Sequence, residues 1–578
     1  MFKNTFFESY RNTMHLWYDV DGITKHKSEK WTPYVYRKNK EGDTNTLFGD
    51  MASKVNFNTY ELYKTFQTNN KKDVFENHVM PDIQYLVEKY HHIEDNDIVP
   101  PNLKVYSFDI EINVTKSHFP SPQNADEVIT LITLYDWQND HYYTFGLHPY
   151  EVTKDNVTYI YCKEDERLLL KRFFSFTHKY APDVYTGWNI CLNKKMKTSG
   201  FDFPYVVNRT KNLFGDDNDV YKLLSPIKKV RIWKSNDDIS VVIAGVSILD
   251  YISLYKWYST KNLERYTLDF VCKEELGETK LEYDGTLSEL YHNDWQKYVD
   301  YNIRDTELIK SLNDKLGYIE LVQTLSLISR APMESFMAMT QLLEGKLLTY
   351  YRRNNLCAPY FAGGIQEGFP AAYVKDPHVG LHDWVISVDI ASSYPTAMIT
   401  LNMSVETYIG RIETLTEDDI IHHIINKNFP SVRLNKYGVV TIVEDKTFNA
   451  MLKSGMIAVA PCGTCFKTNK KGVIADIESD MFLRRKDIKK TIKLLSKDDK
   501  SKHQIDILKN KSMAYKILLN SMYGITSVPY SRYFCLDMAK AITSCARHTI
   551  KQGEKYVNEL LNDEIENQDL VNIINELK

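Results

Sequence analysis

The spacing of hydrophobic and polar positions predicts a strand directly after Pro100 and Pro101. The segment KVYSFDIEINV alternates apolar and polar residues there, and paired prolines usually mark a boundary between elements. We therefore expect a β-strand and a new domain to begin near Asn102. A second apolar strand is expected over residues 384–388, which run into the turn sequence Ser-Ser-Tyr-Pro at 392–395.

Helical spacing is clearest in the last third of the chain. The sequences LRRKDIKKTIKLL at 483–495 and KSMAYKILLNSMYGITS at 511–527 read as two helices. Their predicted apolar stripes consist of Ile488, Ile492 and Leu495 and of Met513, Ile517 and Leu518. Further helices are expected over 531–547 and, with an amphipathic and acidic pattern, over 556–578.

The composition is that of a multidomain globular protein. A chain of 578 residues with 26% charged and 43% hydrophobic residues is too long for one core and suggests three or four domains. No segment reaches the ~18 apolar residues of a membrane helix and no signal peptide pattern is present, so we expect a soluble protein without membrane contact that is not exported. Among the cysteines only Cys462 and Cys465 are close in sequence, and without a second Cys or His pair a metal or redox role is disfavoured.

Positive charge is concentrated in one stretch, although the whole chain has a net charge of −4. Residues 484–516 contain twelve Lys or Arg and four Asp, a local net charge of +8 in 33 residues. The two interpretations are a solvated helix face, as most charge runs are, and a helix that binds polyphosphate. The positions of the basic residues along the predicted helices distinguish between them.

Asp109 and Glu111 form the first candidate site. In a β-strand residues i and i+2 share a face, so both carboxylates point the same way in an otherwise apolar segment. Two like charges on a buried face repel unless a cation lies between them, and Mg²⁺ is a hard ion that carboxylate and water oxygens satisfy. The alternative is an edge strand whose two acids are solvated.

Three further residues favour the metal interpretation. Asp202 lies shortly after Gly200 and heads a helix-like segment, and Tyr301 and Asp305 lie at i and i+4 on one helical face. Four carboxylates and one tyrosine are the groups that a two-metal hydrolase of phosphodiesters uses.

The segments FDIEI, TGWN with FDFPY, and YNIRD resemble, in order and rough spacing, the three exonuclease motifs of family B DNA polymerases. The resemblance implies a ribonuclease H-like 3′→5′ proofreading exonuclease in which Tyr301 positions the attacking water. Its implied metal ligands are Asp109, Glu111, Asp202 and Asp305.

The segment between Asn189 and Asp202 is longer than the family's usual spacer. It carries three basic residues, Lys194, Lys195 and Lys197. These belong either to a surface loop or to a contact with single-stranded DNA.

The sequence WVISVDIASSYPTAM is similar to polymerase motif A of the same family. By that resemblance Asp389 binds both catalytic metals and the carbonyl of Ile390 completes a metal shell. Backbone amides near Ser392 and Ser393 would hold triphosphate oxygens. Tyr394 would lie under the sugar of the incoming nucleotide and exclude a 2′-hydroxyl, so that the enzyme selects deoxynucleotides.

The basic stretch resembles the fingers of family B polymerases. Arg485 and Lys489 are i,i+4 on one predicted helix, and Lys516 and Asn520 are i,i+4 on the next. The resemblance implies that the three basic residues neutralise the triphosphate, that Asn520 supports them, and that Tyr523 lines the base-pair pocket. Phosphoryl transfer relies mostly on electrostatic stabilisation and positioning, so this interpretation is preferred over a solvated face.

The family's second polymerase carboxylate motif, Asp-Thr-Asp-Ser, does not occur in the 578 residues. The near matches around Asp43 and around Asp19 and Asp21 lie ahead of the exonuclease motifs in turn-like sequence and are disfavoured. The resemblance, which is to polymerases of T-even-type bacteriophages, implies the N-terminal subunit of a DNA-directed DNA polymerase whose reading frame is split before this motif. A separate C-terminal subunit with the motif and the thumb would complete two-metal nucleotidyl transfer, and a truncated fragment is the alternative.

The same resemblance implies the cofactors and partners. Mg²⁺ is the expected cofactor, with two ions per active site and Mn²⁺ as a substitute. Primer–template DNA and deoxynucleoside triphosphates are the expected substrates, and a sliding clamp would bind through the C-terminal subunit, in the cytoplasm of the infected bacterial host. A stand-alone 3′→5′ exonuclease or a non-polymerising nucleic-acid-binding fragment is the alternative function.

The expected fold is α/β and multidomain, with a ribonuclease H-like 3′→5′ exonuclease domain, an N-terminal domain, a partial palm and helical fingers. Arg532 is expected to be structural. The expected ranges are 1–101 with 318–356 for the N-terminal domain, 102–317 for the exonuclease, 357–469 for the first part of the palm, 470–527 for the fingers and 528–578 for the return to the palm.

Overall fold

The structure is a computed structural model. It describes residues 1–69, 74–115, 120–193, 195–196, 200–215, 218–235, 238–361, 363–365, 367–381, 387–496 and 502–561.

The β-strands of the described residues belong to several separate sheets. In chain order they are β1 (Phe2–Glu8), β2 (Thr13–Val20), β3 (Ile23–Lys30), β4 (Val35–Lys38), β5 (Thr44–Thr46), β6 (Met51–Val55), β7 (Val74–Phe75), β8 (Val105–Asn113), β9 (Val128–Asp136), β10 (His141–Gly146), β11 (Val157–Tyr161), β12 (Val184–Gly187), β13 (Val230–Ser235), β14 (Asp238–Ile243), β15 (Ser247–Asp250), β16 (Leu356–Cys357), β17 (Tyr408–Ile412), β18 (Val432–Lys436), β19 (Val439–Val443), β20 (Ile457–Val459) and β21 (Thr464–Lys467).

The α-helices alternate with these strands, so the predicted mixed α/β fold is confirmed. In chain order they are α1 (Tyr60–Asn69), α2 (Pro81–Tyr90), α3 (Glu166–Lys179), α4 (Asp202–Phe214), α5 (Tyr251–Tyr258), α6 (Leu268–Leu276), α7 (Leu287–Asn293), α8 (Trp295–Leu316), α9 (Tyr318–Ser329), α10 (Met339–Arg353), α11 (Ser393–Thr400), α12 (Glu417–Asn426), α13 (Asp445–Lys453), α14 (Val473–Leu495), α15 (Lys502–Ser527) and α16 (Leu536–Leu561).

The described residues form two compact units. The first comprises 1–33, 57–64 and 80–345, and the second comprises 34–56, 65–79 and the described part of 346–578. The finer boundaries expected at 102, 318, 357, 470 and 528 stay predictions.

A six-stranded sheet forms the centre of the first unit, with the strand order β11-β10-β9-β8-β12-β15. Strand β8 pairs antiparallel with β9 and parallel with β12. Nearly all of its residues are buried, so the polar positions that make its sequence alternate do not face solvent. The reason is its central position, since neighbouring elements cover the sheet on both faces.

The second unit contains two five-stranded sheets. One has the order β16-β5-β6-β4-β7 and the other the order β19-β18-β17-β21-β20. The long helices α14 and α15 pack against each other in the same unit, and α11 and α16 pack against them.

The helices predicted in the last third of the chain are confirmed with shifted bounds. Helix α14 begins ten residues before the expected 483, because an apolar, buried first half precedes the basic segment. Its predicted stripe at Ile488, Ile492 and Leu495 is half-buried, whereas Met513 of α15 is 37% exposed and does not belong to that helix's buried face. Helix α16 runs without a break from Leu536 to Leu561, so the two helices expected at 531–547 and 556–578 are one helix as far as the structure describes them, and residues 562–578 lie outside the described residues.

The strand expected over 384–388 is not formed where the structure describes it. Residues 384–386 lie outside the described residues, while Ser387 and Val388 belong to no strand. Val388 is 67% exposed, and no described strand pairs with it to provide the hydrogen bonds that a strand requires.

Candidate metal centre

Strand β8 presents Asp109 and Glu111 on one face of the sheet. Asp109 lies opposite Thr133 and Glu111 opposite Leu131 in the neighbouring strand β9. Because β8 is central and Glu111 is buried, the alternative of an edge strand with two solvated acids is wrong. The predicted shared face is confirmed by the cluster that both residues join.

Helix α8 completes the cluster with Asp305. One carboxylate oxygen from each of Asp109, Glu111 and Asp305 lies within 4.8 Å of the others. Asp305 and Tyr301 are both buried on the face of α8 that packs against β8 and β9. This face results from the helical period, which brings residues i and i+4 to the same side.

Asp202 approaches the same strand from helix α4. It is the first residue of that helix, is buried, and accepts a hydrogen bond of 3.1 Å from the backbone N–H of Ile110 through its Oδ1 atom. Its carboxylate is not one of the three that lie within 4.8 Å of one another. The role of Asp202 as a metal ligand therefore stays a prediction.

Lys280 was missed by the sequence reasoning. Its Nζ atom donates to Asp305 Oδ2 at 2.5 Å and to the hydroxyl oxygen of Tyr301 at 3.0 Å. The residue lies in the irregular segment after α6, and its own backbone N–H donates to Asp269 Oδ1 at 2.9 Å, which holds the segment against that helix. One cation is thus already in contact with the carboxylate cluster.

Asn302 was also missed, although it follows Tyr301 directly. Its Nδ2 atom donates to Asp109 Oδ2 at 2.5 Å. The sequence did contain a signal for a role of Asn302 in this cluster. Asn302 precedes Asp305 by three residues and therefore shares its helix face.

Burial and mutual repulsion shape the titration of the cluster. Burial, followed by the charges of Glu111 and Asp305, raises the pKa of Asp109 well above its ordinary value. Burial and then the charge of Asp305 raise the pKa of Glu111 to about 8. Burial also raises the pKa of Asp305 against the opposing effect of Lys280, and burial and the charge of Asp109 raise the pKa of Asp202.

The donor set fits a hard divalent cation. Asn302 Oδ1 and Asp305 Oδ1 are buried oxygens without a hydrogen-bond partner among the described residues. Unsatisfied buried acceptors are costly, and several carboxylate oxygens directed at one point are what such a cation binds. Within the described residues no other group of three His, Cys, Asp or Glu side chains comes this close together.

The longer segment between Asn189 and Asp202 is partly described. Lys195 donates from Nζ to the backbone carbonyl of Met337 at 2.8 Å, and the same ammonium lies 4.0 Å from the ring centroid of Trp257. These contacts favour the surface-loop interpretation for Lys195. Lys194 and Lys197 lie outside the described residues.

Asp389 lies in an exposed, irregular segment ahead of α11. Ser392 has a left-handed backbone with φ of 54°, and α11 begins at Ser393. The first backbone N–H groups of α11 have no acceptor within the helix and could donate to anionic oxygens. The predicted binding of triphosphate oxygens by amides near Ser392 and Ser393 stays a prediction. Ile390, the predicted carbonyl ligand, is half-buried beside them.

Tyr394 and Tyr523 are brought together by α11 and α15. Their ring centroids are 4.8 Å apart, with an angle of 54° between the ring planes. The two aromatic residues predicted for one nucleotide pocket therefore contact each other.

The predicted triphosphate residues lie on two packed helices. Lys489, Lys516 and Asn520 are exposed, and Arg485 is half-buried. In the part of the chain that the structure describes, no ion pair involves any of the three cations, whereas the neighbouring Arg484 pairs with Asp480 at 2.7 Å. The cations are available to an anionic ligand, and their role stays a prediction.

Two smaller predictions are resolved. Arg532 donates to the carbonyl oxygens of Pro359 and Asn77, each at 2.8 Å, so its structural role is confirmed. The Asp19 carboxylate accepts from the N–H of Gly22 within the turn between β2 and β3, which agrees with the turn-like reading of that sequence.

The two cysteines that are close in sequence have different surroundings. Cys462 lies next to Thr464, with 3.2 Å between its Sγ atom and the hydroxyl oxygen, and Cys465 is buried. No helix among the described residues is both long and apolar enough to cross a membrane.

Comparison with known proteins gives two family matches. The profile described as "DNA polymerase family B, exonuclease domain" matches residues 44–271, and "DNA polymerase family B" matches residues 335–576. Asp305 lies between the two matched ranges, yet helix α8 brings it to Asp109 and Glu111 of the first.

Curated relatives include two phage proteins. The DNA-directed DNA polymerase of Escherichia phage RB69 is 28% identical over an alignment of length 533, which covers 83% of this chain and 57% of the relative. The DNA-directed DNA polymerase of Enterobacteria phage T4 is 25% identical over an alignment of length 633, which covers 95% of this chain and 66% of the relative. The DNA polymerase catalytic subunit of Alcelaphine herpesvirus 1 is 25% identical over 82% of this chain and 43% of the relative.

The chain spans somewhat more than half to about two thirds of the length of the two phage relatives. The two family profiles cover its exonuclease motifs up to residue 271, its motif A segment and its basic helices. On these matches the chain belongs to family B of the DNA polymerases and contains the family's exonuclease domain.

Proposed function

We propose that this chain is a DNA-directed DNA polymerase polypeptide with a 3′→5′ proofreading exonuclease. The observation that carries the exonuclease is the convergence of Asp109, Glu111 and Asp305 within 4.8 Å in a chain that belongs to this family. The substrate of this activity is the 3′ end of DNA.

Asp109, Glu111 and Asp305, together with Asp202, would hold the divalent cations. Mg²⁺ is the proposed ion, two per active site, with Mn²⁺ as a substitute, because carboxylate oxygens suit both. When bound, such ions supply Lewis-acid stabilisation of phosphate charge and a more acidic water. The unpartnered Asp305 Oδ1 supports this assignment.

Tyr301 and Lys280 then have distinct roles. The Tyr301 hydroxyl accepts from Lys280, which leaves its own proton free to be donated to a water or phosphate oxygen at the cluster. Lys280 orients this hydroxyl and offsets part of the negative charge of Asp305. Asn302, on the same face of the helix, holds Asp109 through the hydrogen bond that its Nδ2 atom donates.

For nucleotidyl transfer we propose the motif A segment and the basic helices. Asp389 and the Ile390 carbonyl would bind the metals, the amides near Ser392 and Ser393 the triphosphate, and Tyr394 would exclude a ribose 2′-hydroxyl. Arg485, Lys489 and Lys516 would neutralise the triphosphate, with Asn520 and Tyr523 beside them.

The second polymerase carboxylate would come from polypeptide outside these 578 residues. We propose that a segment or subunit with this motif and a thumb completes the palm and carries the sliding-clamp contact. Primer–template DNA and deoxynucleoside triphosphates would be the substrates, in the cytoplasm of an infected bacterial cell.

A second candidate function is a stand-alone 3′→5′ exonuclease. It is favoured by one contrast: the exonuclease carboxylates converge, whereas Asp389 is exposed and joins no carboxylate cluster among the described residues.

One experiment tests both candidates. A primer labelled at its 5′ end is annealed to a template and incubated with Mg²⁺, with and without deoxynucleoside triphosphates, and with the chain, alone or mixed with a polypeptide that carries the second palm carboxylate and thumb. Degradation by the chain alone and extension only in the mixture support the main proposal. Degradation without extension in either sample supports the stand-alone exonuclease, and extension by the chain alone contradicts the need for a second carboxylate from outside.

A further inference from the structure

Strand β19 is an edge of a five-stranded sheet that no other described segment covers. It is the terminal strand in the order β19-β18-β17-β21-β20, and its sequence is Val-Val-Thr-Ile-Val. Four of its five residues are exposed, among them Val439 at 68%, Val440 at 41% and Ile442 at 71%. Natural proteins usually protect such an edge with charges, proline or a covering element.

The unpaired backbone groups of this edge can be assigned. The turn between β18 and β19 has two residues, Tyr437 and Gly438, with φ of 53° and 86°. In such a hairpin Lys436 and Val439 form a hydrogen-bonded pair. From there on, non-hydrogen-bonded and hydrogen-bonded pairs alternate along β18 and β19. The N–H and C=O groups of Val440 and Ile442 therefore point away from β18.

Both faces of the edge are apolar as well. Val439, Thr441 and Val443 lie on the face of the buried Leu434, and Val440 and Ile442 lie on the other. Of the five residues of β19, only Val443 packs against the core of this sheet. The strand thus exposes apolar side chains together with free backbone donors and acceptors.

We propose that β19 pairs antiparallel with β19 of a second copy of this chain. A two-fold axis through Thr441 places Val440 opposite Ile442 of the second copy, where the outward backbone groups exchange both hydrogen bonds. It also places Val439 opposite Val443 of the second copy. Every apolar residue then meets an apolar residue, because the sequence is nearly the same in both directions.

Charge is compatible with this partner. The strand itself has no charged residue, so the pairing opposes no like charges. Lys436 at the turn end of β18 faces away from this edge, because its Nζ atom donates to the backbone carbonyl of Tyr408 in β17 at 2.7 Å. An uncharged strand whose sequence Val-Val-Thr-Ile-Val is nearly the same in both directions is complementary to itself, which favours a second copy as the partner.

The size of the contact sets the expected affinity. Five residues of strand span about 17 Å, and edge pairing of that length buries less than the ~1,200–2,000 Å² of a stable complex. We therefore expect weak self-association, with a dissociation constant of about 10–100 µM.

Sedimentation velocity over a concentration series tests the association. The wild-type chain is expected to shift from monomer to dimer as its concentration rises, and Ile442→Lys to remain monomeric, because the variant buries charge opposite an apolar residue. Ile442 is exposed, so its replacement should leave thermal unfolding unchanged, which is measured alongside. A wild-type chain that remains monomeric at the highest concentration, or an Ile442→Lys variant that dimerises equally, overturns the proposal.

Disulfide trapping tests the register. In a non-hydrogen-bonded pair on a two-fold axis the Cα atoms are about 4.5 Å apart, which a disulfide can span. Thr441→Cys should therefore form a covalent dimer under mild oxidation well above the wild-type background. Val439→Cys is the matched control, since Val439 lies four residues out of register with its own copy and should stay at background. Equal trapping of both variants contradicts the proposed pairing.

Discussion

The ammonium group of Lys280 lies 2.5 Å from Asp305 Oδ2, inside a cluster of three carboxylates. Although burial acts to lower it, the pKa of Lys280 is raised, because Asp305 and Tyr301 favour its charged form. The cation that faces this cluster in the metal-free protein is therefore a side chain, and a bound divalent ion would share Asp305 with it.

Replacing Lys280 by methionine should destabilise the metal-free protein. The ion pair is partly exposed at Lys280, so the free energy of unfolding in EDTA should fall by about 1–3 kcal/mol, less than for a fully buried pair. Added Mg²⁺ should recover part of this loss, because it restores positive charge beside Asp305. Denaturant unfolding with and without Mg²⁺ measures both effects.

The matched control for this variant is Lys310→Met on the same helix. Lys310 forms an i,i+4 pair with the exposed Asp314, so its loss should cost less than about 0.5 kcal/mol and should not depend on Mg²⁺. Equal losses in both variants would show that Lys280 does not serve the cluster.

Neutralising Glu111 should stabilise the metal-free protein. Glu111 is buried beside Asp109 and Asp305 and its pKa is raised to about 8, so above that pH Glu111→Gln removes one of the repelling charges while keeping the side-chain volume. We expect a higher unfolding temperature in EDTA and a smaller stabilisation by Mg²⁺ than in the wild type, measured by calorimetry. A variant that is less stable than the wild type in EDTA would contradict the repulsion inferred from the geometry.

Arg485 should contribute to nucleotide binding, whereas its neighbour Arg484 should not. Arg485→Ala removes a charge without an ion-pair partner among the described residues, so the affinity for a deoxynucleoside triphosphate should fall by about tenfold. Arg484 is engaged with Asp480, and Arg484→Ala should change the affinity little. Titration calorimetry with both variants compares them, and equal losses would favour a general electrostatic effect of the basic helix.

The buried pair Arg330–Asp95 should be a major determinant of stability in the first unit. Both side chains are almost fully buried and their atoms are 2.9 Å apart. Asp95→Ala removes the carboxylate that pairs with this buried guanidinium and should lower the free energy of unfolding by about 3–5 kcal/mol. The control Asp97→Ala, an exposed acid of the same 3₁₀ turn, should change it by less than about 0.5 kcal/mol. A small loss in Asp95→Ala would mean that other contacts hold Arg330.

Local periodicity explains why much of the metal centre was predictable. The two-residue period of a strand placed Asp109 and Glu111 on one face, and the helical period placed Tyr301 and Asp305 on another. Lys280 was not predictable in this way, because it lies in an irregular segment and reaches Asp305 across 25 positions of sequence. Only the tertiary fold brings these two residues together.

The strand predicted over 384–388 is a case in which the local sequence pattern predicted an element that the described residues do not form. Its apolar residues have the composition of a strand, but a strand forms only where a neighbour satisfies its backbone, and Ser387 and Val388 have none among the described strands. The helices α14 and α15 were predicted because their apolar residues recur regularly over a long stretch of sequence. Which of these residues are buried depends on tertiary packing, and the sequence pattern of α15 did not reveal that Met513 is exposed.

The central claim is that the Asp109, Glu111 and Asp305 cluster is a 3′→5′ exonuclease site, and the most direct measurement is the rate of nucleotide release from the 3′ end of single-stranded DNA in Mg²⁺. We predict that Asp109→Asn lowers the rate by about 100-fold or more. The control Asp314→Asn, at an exposed position of α8, should retain the wild-type rate. Nucleotide release by Asp109→Asn at the wild-type rate would contradict the assignment.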